Sequence, residues 1–236
     1  MSGLGANYER DLRKIIALST LRQLGLMIMS LGLGFYELAF FHLLTHAMFK
    51  SLLFLCAGVF IHSIGDTQDI RILGGLMISC PVTSFYFIGA SMALCGFPFL
   101  SGFYSRDIIL ECFFIRKINL FIVVMVVLAT VITLTYRVRL IFYLFFNNFG
   151  RRFMVSIEEE SVIILPMGVL FLLSVSAGGG LRLISFPIVF IFLPLVFKLL
   201  VLLFLGVIFI VMFNLFNIDI YGGFNMSLKK FFMGAI

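Results

Sequence analysis

Residues 38–62 read LAFFHLLTHAMFKSLLFLCAGVFIH. A helix needs about 20 apolar residues, at ~1.5 Å rise each, to cross a bilayer, and this run is long enough. It nevertheless carries His42, His46 and Lys50, each four residues after the last. Helical residues four apart lie on nearly the same face, about 6 Å apart along the axis. A charge at the bilayer centre costs about 2.5–3.5 kcal/mol even on the lenient insertion scale. A stripe of three titratable groups therefore faces other helices and internal water rather than lipid, and it is placed to pass protons. One such His alone would be read as a packed, hydrogen-bonded contact residue; three groups in register favour the proton path. A metal site fits less well, because no carboxylate or Cys shares that face and Lys50 would repel a cation.

The composition sets the class. The chain is 62% hydrophobic and 12% charged, where soluble domains carry about 25% charged residues. This predicts an all-α, polytopic transmembrane helix bundle. The net charge of +6 does not point to nucleic acid, since the basic residues sit between apolar runs, as topology signals do. Cys56, Cys80, Cys95 and Cys112 lack metal-ligand spacing and lie in or beside apolar runs, as buried small hydrophobes do. Residues 1–7 have neither the basic start nor the apolar core of a leader, and SGLGAN is a poor match to a phosphate loop. The chain holds 31 Phe and no Trp, although Trp normally belts membrane proteins at the interface.

About six spans are expected. The first runs from Ile15 to Gly34, with Arg22 two turns inside and expected to snorkel outward. The striped helix is the second, followed by the polar loop SIGDTQDIRILGG. The third apolar stretch, Leu76 to Phe114, is too long for one straight span, and Gly96, Pro98 and Gly102 should break it. Arg106 and Asp107 come directly after. A broken helix with a charge pair beside the break either lines an ion path or is a kink followed by an interfacial pair. The fourth span runs from Ile118 to Phe142, with Arg137 and Arg139 near its end. NNFGRRFMVSIEEE is a solvated connection, and the fifth span is Ser161 to Gly178, after which GGGLR should turn the chain. The sixth runs from Pro187 to Phe213 and holds Lys198, read as facing the bundle. This divides the chain into a four-span unit, 1–146, and a two-span unit with a tail, 147–236. Arg10, Arg13, Lys14, Arg71, Arg137, Arg139, Arg151, Arg152, Lys229 and Lys230 then fall on one side. Arg116, Lys117 and Arg182 fall on the other. The richer side should face the cytoplasm-equivalent compartment, the matrix in an organelle.

Four ordered runs carry a family resemblance: DLRKIIALSTLRQLGLM, HLLTHAMFKSLLFLCAGVFIH, QDIRILGGL and LCGFPFLSGFYSRDIILE. Together they resemble the subunit 5 family of mitochondrial NADH:ubiquinone oxidoreductase, respiratory complex I. The likeness is strong to about Glu111 and weaker through LPLVFKLL to the end. The same core pattern occurs more loosely in other antiporter-like subunits and in multi-subunit cation/proton antiporters. The resemblance implies most of the second of two inverted five-helix repeats, in the proton-translocating membrane arm of the inner mitochondrial membrane. Lys50 matches the family's central channel lysine, His42 and His46 its histidine relay, and Arg106 and Asp107 its Lys-Asp pair on the second broken helix. It implies other membrane-arm subunits as partners and no redox cofactor on this chain, with NADH, flavin, iron–sulfur clusters and ubiquinone handled elsewhere in the complex. The alternatives are a monovalent cation/proton antiporter subunit, or a fragment that only packs against neighbours or does nothing.

The sequence departs from that family in two ways. It starts well past the middle of the pattern and ends before the lateral helix and last span, so the first repeat with its Glu and Lys is expected to lie outside it. Arg106 also replaces a Lys, and Arg22 and Arg137 stand where the family carries a small polar residue. A guanidinium keeps its proton, so Arg106 can hold Asp107 but cannot relay. One reading covers all of this: a mitochondrial frame translated with the standard code, in which UGA stops instead of giving Trp and AGA or AGG gives Arg. The other reading is a truncated subunit with true substitutions.

Overall fold

The computed structural model describes residues 1–97, 100–115, 120–146, 159, 161–185, 206, 207 and 210. Eight α-helices order this part of the chain: α1 Ser2–Tyr8, α2 Leu12–Gly32, α3 Tyr36–Ser63, α4 Leu76–Ser79, α5 Pro81–Cys95, α6 Ser101–Ile115, α7 Leu120–Ile141 and α8 Ser161–Ser185. A π-helical turn, Phe142–Phe146, extends α7. Among the described residues, β pairing is limited to an isolated bridge between Asp11 and Asp69. It ties the loop after α3 to the start of α2, with Leu12 N–H donating to the Gln68 carbonyl at 3.0 Å and Ile70 N–H to that of Arg10 at 3.1 Å.

Four helical stretches are long and apolar enough to cross a membrane: Leu12–Gly32, Tyr36–Ser63, Val124–Phe146 and Ser161–Leu181. The expected third span is two shorter helices instead. α5 and α6 have 15 residues each, about 22 Å apiece, against a hydrocarbon core of about 30 Å. Pro81 opens α5 at a position where a missing N–H is harmless. Gly96 ends it in a left-handed turn, at φ 83°, which a side chain would disfavour. The predicted break is therefore observed. Of the predicted sixth span only residues 206, 207 and 210 are described, and Lys198, the 147–158 connection and Pro98 lie outside the described residues.

α3 is the central helix, packed against α2, α5, α6 and α8. Its lower half meets α5 and the π-turn through three interlocked rings. Phe60, Phe87 and Phe145 have centroids 5.6, 5.9 and 6.2 Å apart with their planes steeply inclined, towards the edge-to-face geometry that aromatic quadrupoles favour. α1 packs on α2 and α7, joined to α7 by a polar pair. The Asn7 amide donates to Thr135 Oγ1 at 3.0 Å. Thr135→Val should leave that buried amide unpaired and lower the unfolding free energy of the purified full-length subunit by about 1–3 kcal/mol, read as a lower thermal midpoint in detergent.

α8 corrects one expectation. Gly178, Gly179 and Gly180 do not turn the chain; they continue the helix to Ser185. A Cβ at Gly178 would run into Ser101 of α6. Ser101 Oγ donates to the Ser174 carbonyl at 2.6 Å. Small residues let membrane helices approach closely, and that is what the glycine serves. The same device recurs at Gly89 of α5, whose open face takes the Phe171 ring. The outer face of α8 presents Val162, Leu165 and Leu172, all more than two-thirds exposed, the apolar surface a bilayer covers. This chain is a multi-pass membrane protein.

Candidate functional site

The stripe on α3 is buried as expected. His42, His46 and Lys50 are 3%, 7% and 5% exposed. At 3.6 residues per turn each four-residue step drifts by about 40°, so the stripe does not face one neighbour throughout. Its first member faces α6, where His42 Nδ1 is 3.0 Å from Ser105 Oγ. Its last member faces α2, where Lys50 Nζ donates to the Ile16 carbonyl at 3.0 Å and to Ser19 Oγ. The two imidazole rings are 6.0 Å apart between centroids, too far for a direct hydrogen bond.

A water-sized cavity lies between the α3 stripe and the broken helix. His42, Thr45 and His46 of α3, Gln23 of α2, and Ser105 and Arg106 of α6 supply its polar lining, and Phe49, Leu94 and Gly102 complete the lining. His42 Nε2, His46 Nε2 and Gln23 Oε1 are buried and keep their hydrogen-bonding capacity unspent among the described residues. Thr45 Oγ1 donates to Ser105 Oγ at 3.2 Å, which fixes that hydroxyl against His42.

Arg106 is 2% exposed and donates from Nη1 to the Cys95 carbonyl at 2.9 Å. Cys95 is the last residue of α5. Carbonyls at a helix C-terminus lack intrahelical partners and carry partial negative charge, so a cation there both caps and neutralises the half-helix. This places Arg106 inside the bundle at the break. Asp107 follows it on α6, with its side chain outside the described residues.

Four lining or anchoring residues were absent from the sequence reading: Ser19, Gln23, Thr45 and Ser105. Ser19 and Gln23 are themselves four apart on α2, as Ser101 and Ser105 are on α6, so polar residues repeating within an apolar helix were the available signal. Three basic residues are also placed differently. Arg22 does not snorkel: its Cδ lies under Gly3 of α1, whose Cβ would come within 3.2 Å of it. Arg137 and Arg139, counted above as flanking charges, are buried at 3% and 1% exposure, because α7 runs on past them into the π-turn.

Comparison with known proteins gives the family. The family described as "NADH:quinone oxidoreductase/Mrp antiporter, TM" matches residues 1–133. The one described as "NADH dehydrogenase subunit 5 C-terminus" matches residues 136–235. NADH-ubiquinone oxidoreductase chain 5 of Anopheles quadrimaculatus is 48% identical over 180 residues, covering 76% of this chain and 31% of that protein. Its counterpart in Locusta migratoria is 47% identical over 206 residues, covering 86% and 36%. The chain thus spans about a third of the length of these curated relatives. In fold it matches a chain of the membrane-bound sulfane sulfur reductase, an archaeal respiratory membrane complex, at a TM-score of 0.65 and 24% identity, over 78% of this chain and 38% of that one. A buried His-His-Lys face, a helix broken beside it and two family matches that together cover nearly the whole sequence lead to one placement: this chain belongs to the NADH:quinone oxidoreductase/Mrp antiporter family, in its subunit 5 branch.

Proposed function

We propose that the full-length subunit moves protons across the inner mitochondrial membrane, within the membrane arm of NADH:ubiquinone oxidoreductase and alongside its other membrane subunits. Electron transfer and its cofactors belong to other chains. Within this chain, residues 1–146 form part of one channel repeat, and 147–236 form a C-terminal membrane region. The observation that carries the proposal is the burial of His42, His46 and Lys50 on one helix face beside a water-sized polar cavity.

The chemistry follows from the contacts. Imidazole takes a proton on one ring nitrogen and gives it from the other. His42 has Nδ1 engaged by Ser105 and Nε2 open, so it is oriented for transfer at one end. The 6.0 Å between the rings calls for a bridging water. The Lys50 amine, held by Ser19 and the Ile16 carbonyl, can release a proton when a neighbouring charge changes, because burial disfavours charged amines in general. Arg106 stays charged and acts by position, together with Asp107, at the far end of the path.

His46→Leu in the full-length protein, assembled and reconstituted in vesicles, should lower protons moved per NADH oxidised while leaving NADH oxidation by soluble acceptors unchanged. An unaltered ratio would remove His46 from the path. The family description also names Mrp antiporters, so a second reading is cation/proton exchange. Sodium- or potassium-dependent proton flux without quinone reduction would favour it.

A further inference from the structure

Gln23 of α2 is 2% exposed, and an amide does not titrate, so it cannot itself carry a proton. Its place follows from the hairpin. α2 ends at Gly32 and α3 begins at Tyr36, and a connection as short as residues 33–35 sets two packed helices antiparallel. Ser19 of α2 meets Lys50 of α3. Four residues further along α2 stands Gln23, and four residues back along α3 stands His46. Both lie about one turn from the Ser19–Lys50 contact, in the same direction. Gln23 is therefore level with His46, and both line the water-sized cavity.

Gln23 Oε1, His42 Nε2 and His46 Nε2 are buried without a hydrogen-bond partner among the described residues, and all three side chains line that cavity. Unspent arginine nitrogens also occur in the bundle, but they are donors and mark no single place. The other unspent side-chain oxygens among the described residues, on Asp69 and Tyr136, belong to side chains outside the cavity lining. Gln23 alone among these offers an unspent acceptor to a space shared with two ring nitrogens. An amide carbonyl left buried and unpaired is costly, and a methionine would fill the same helix face without that cost. A water between the rings resolves the mismatch. It has two hydrogens, and a chain from one imidazole to the other uses one of them. We propose that Gln23 is the positioning residue for the water between His42 and His46, its Oε1 accepting the hydrogen that does not transfer.

The step balances. With His42 as imidazolium, its Nε2 hydrogen passes to the water oxygen while the water hydrogen facing His46 passes to His46 Nε2. One N–H and one O–H bond break, one O–H and one N–H bond form, and the water ends with two hydrogens. Its other hydrogen stays on Gln23 Oε1 throughout. Ser105 Oγ, 3.0 Å from His42 Nδ1, donates to that nitrogen or accepts from it as the ring changes state, since a hydroxyl does both. Because the amide neither takes nor gives a proton, it holds the water without trapping the charge, as a carboxylate in its place would.

The inference rests on the proton path proposed above, and the test keeps the two apart. The assembled complex is imaged by cryo-electron microscopy at a resolution that shows ordered waters, with wild-type and Gln23→Met subunits. Protons moved per NADH oxidised are measured in vesicles, in H2O and in D2O, beside His46→Leu. In the wild type a water is expected about 3 Å from Gln23 Oε1 and within hydrogen-bond reach of both ring nitrogens. Gln23→Met matches the amide in length. It should lose that water and lower proton flux about tenfold, the order of one hydrogen bond, with a larger solvent isotope effect because the transfer itself then limits the rate. A wild-type map without that water overturns the inference, and it decides the matter even where the variant fails to assemble. Flux and isotope effect unchanged in Gln23→Met, while His46→Leu lowers flux, also overturn it and leave the proposed function standing. Flux unchanged in both variants overturns the proposed function and the inference with it.

Discussion

Lys50→Met in the full-length subunit is expected to cut proton flux through this subunit by about 100-fold. The amine is the last titratable group on the α3 face, beyond His46, and it links that face to Ser19 and the Ile16 carbonyl on α2. Methionine matches its length but carries no proton. A proton crossing that gap must then travel without a protein site, in surroundings where a charge costs about 3 kcal/mol even on the lenient scale. Each 1.36 kcal/mol added to a barrier slows a step tenfold, so about 3 kcal/mol corresponds to roughly two orders of magnitude. The variant should still assemble, since it replaces a buried charge with an apolar chain of similar volume, a change that is often neutral or stabilising. Flux is measured as acidification of vesicles holding the assembled complex, with NADH oxidation followed in parallel.

Gly102→Val should have the largest structural effect. A Cβ at Gly102 would lie on top of the Ala93 carbonyl oxygen of α5. The obstacle is backbone, so it cannot swing aside as a side chain would. Overpacking by side chains alone typically costs 1–3 kcal/mol, and a clash with backbone at the break should exceed about 3 kcal/mol. It would also displace Ser105 and Arg106, one and two positions beyond the first turn of α6, and with them the contacts to His42 and Cys95. The expected outcome is loss of assembled subunit on native gels. Gly58→Ala serves as the control: nothing lies within 4 Å of a Cβ there, so assembly should be unchanged.

Much of this was legible from residue order. The four-residue spacing of His42, His46 and Lys50 fixes a shared face wherever a helix forms, and that face is buried. Gly96 and Pro98 announce the break because one favours left-handed backbone and the other disrupts helices. What periodicity cannot state is which neighbour each face meets. Ser19, Gln23 and Ser105 join the site through the packing of α2 and α6 on α3, a matter of crossing and register between segments far apart in sequence. Gly178 to Gly180 misled for a related reason. Glycine serves both turns and close helix approach, and only the presence of Ser101 opposite distinguishes the two uses. Arg22 misled because snorkelling presumes open lipid alongside, whereas α1 covers it.

Proton flux in a Lys50→Arg variant of the full-length, membrane-assembled subunit bears most directly on whether the amine is a relay or a strut. Arginine retains the charge and can donate to Ser19 and the Ile16 carbonyl, but it does not deprotonate. A relay predicts flux as low as in Lys50→Met, with the complex assembled and NADH oxidation by soluble acceptors intact. Flux restored to the wild-type level by arginine would contradict the account, because it would show that position 50 needs only a cation that holds two helices together.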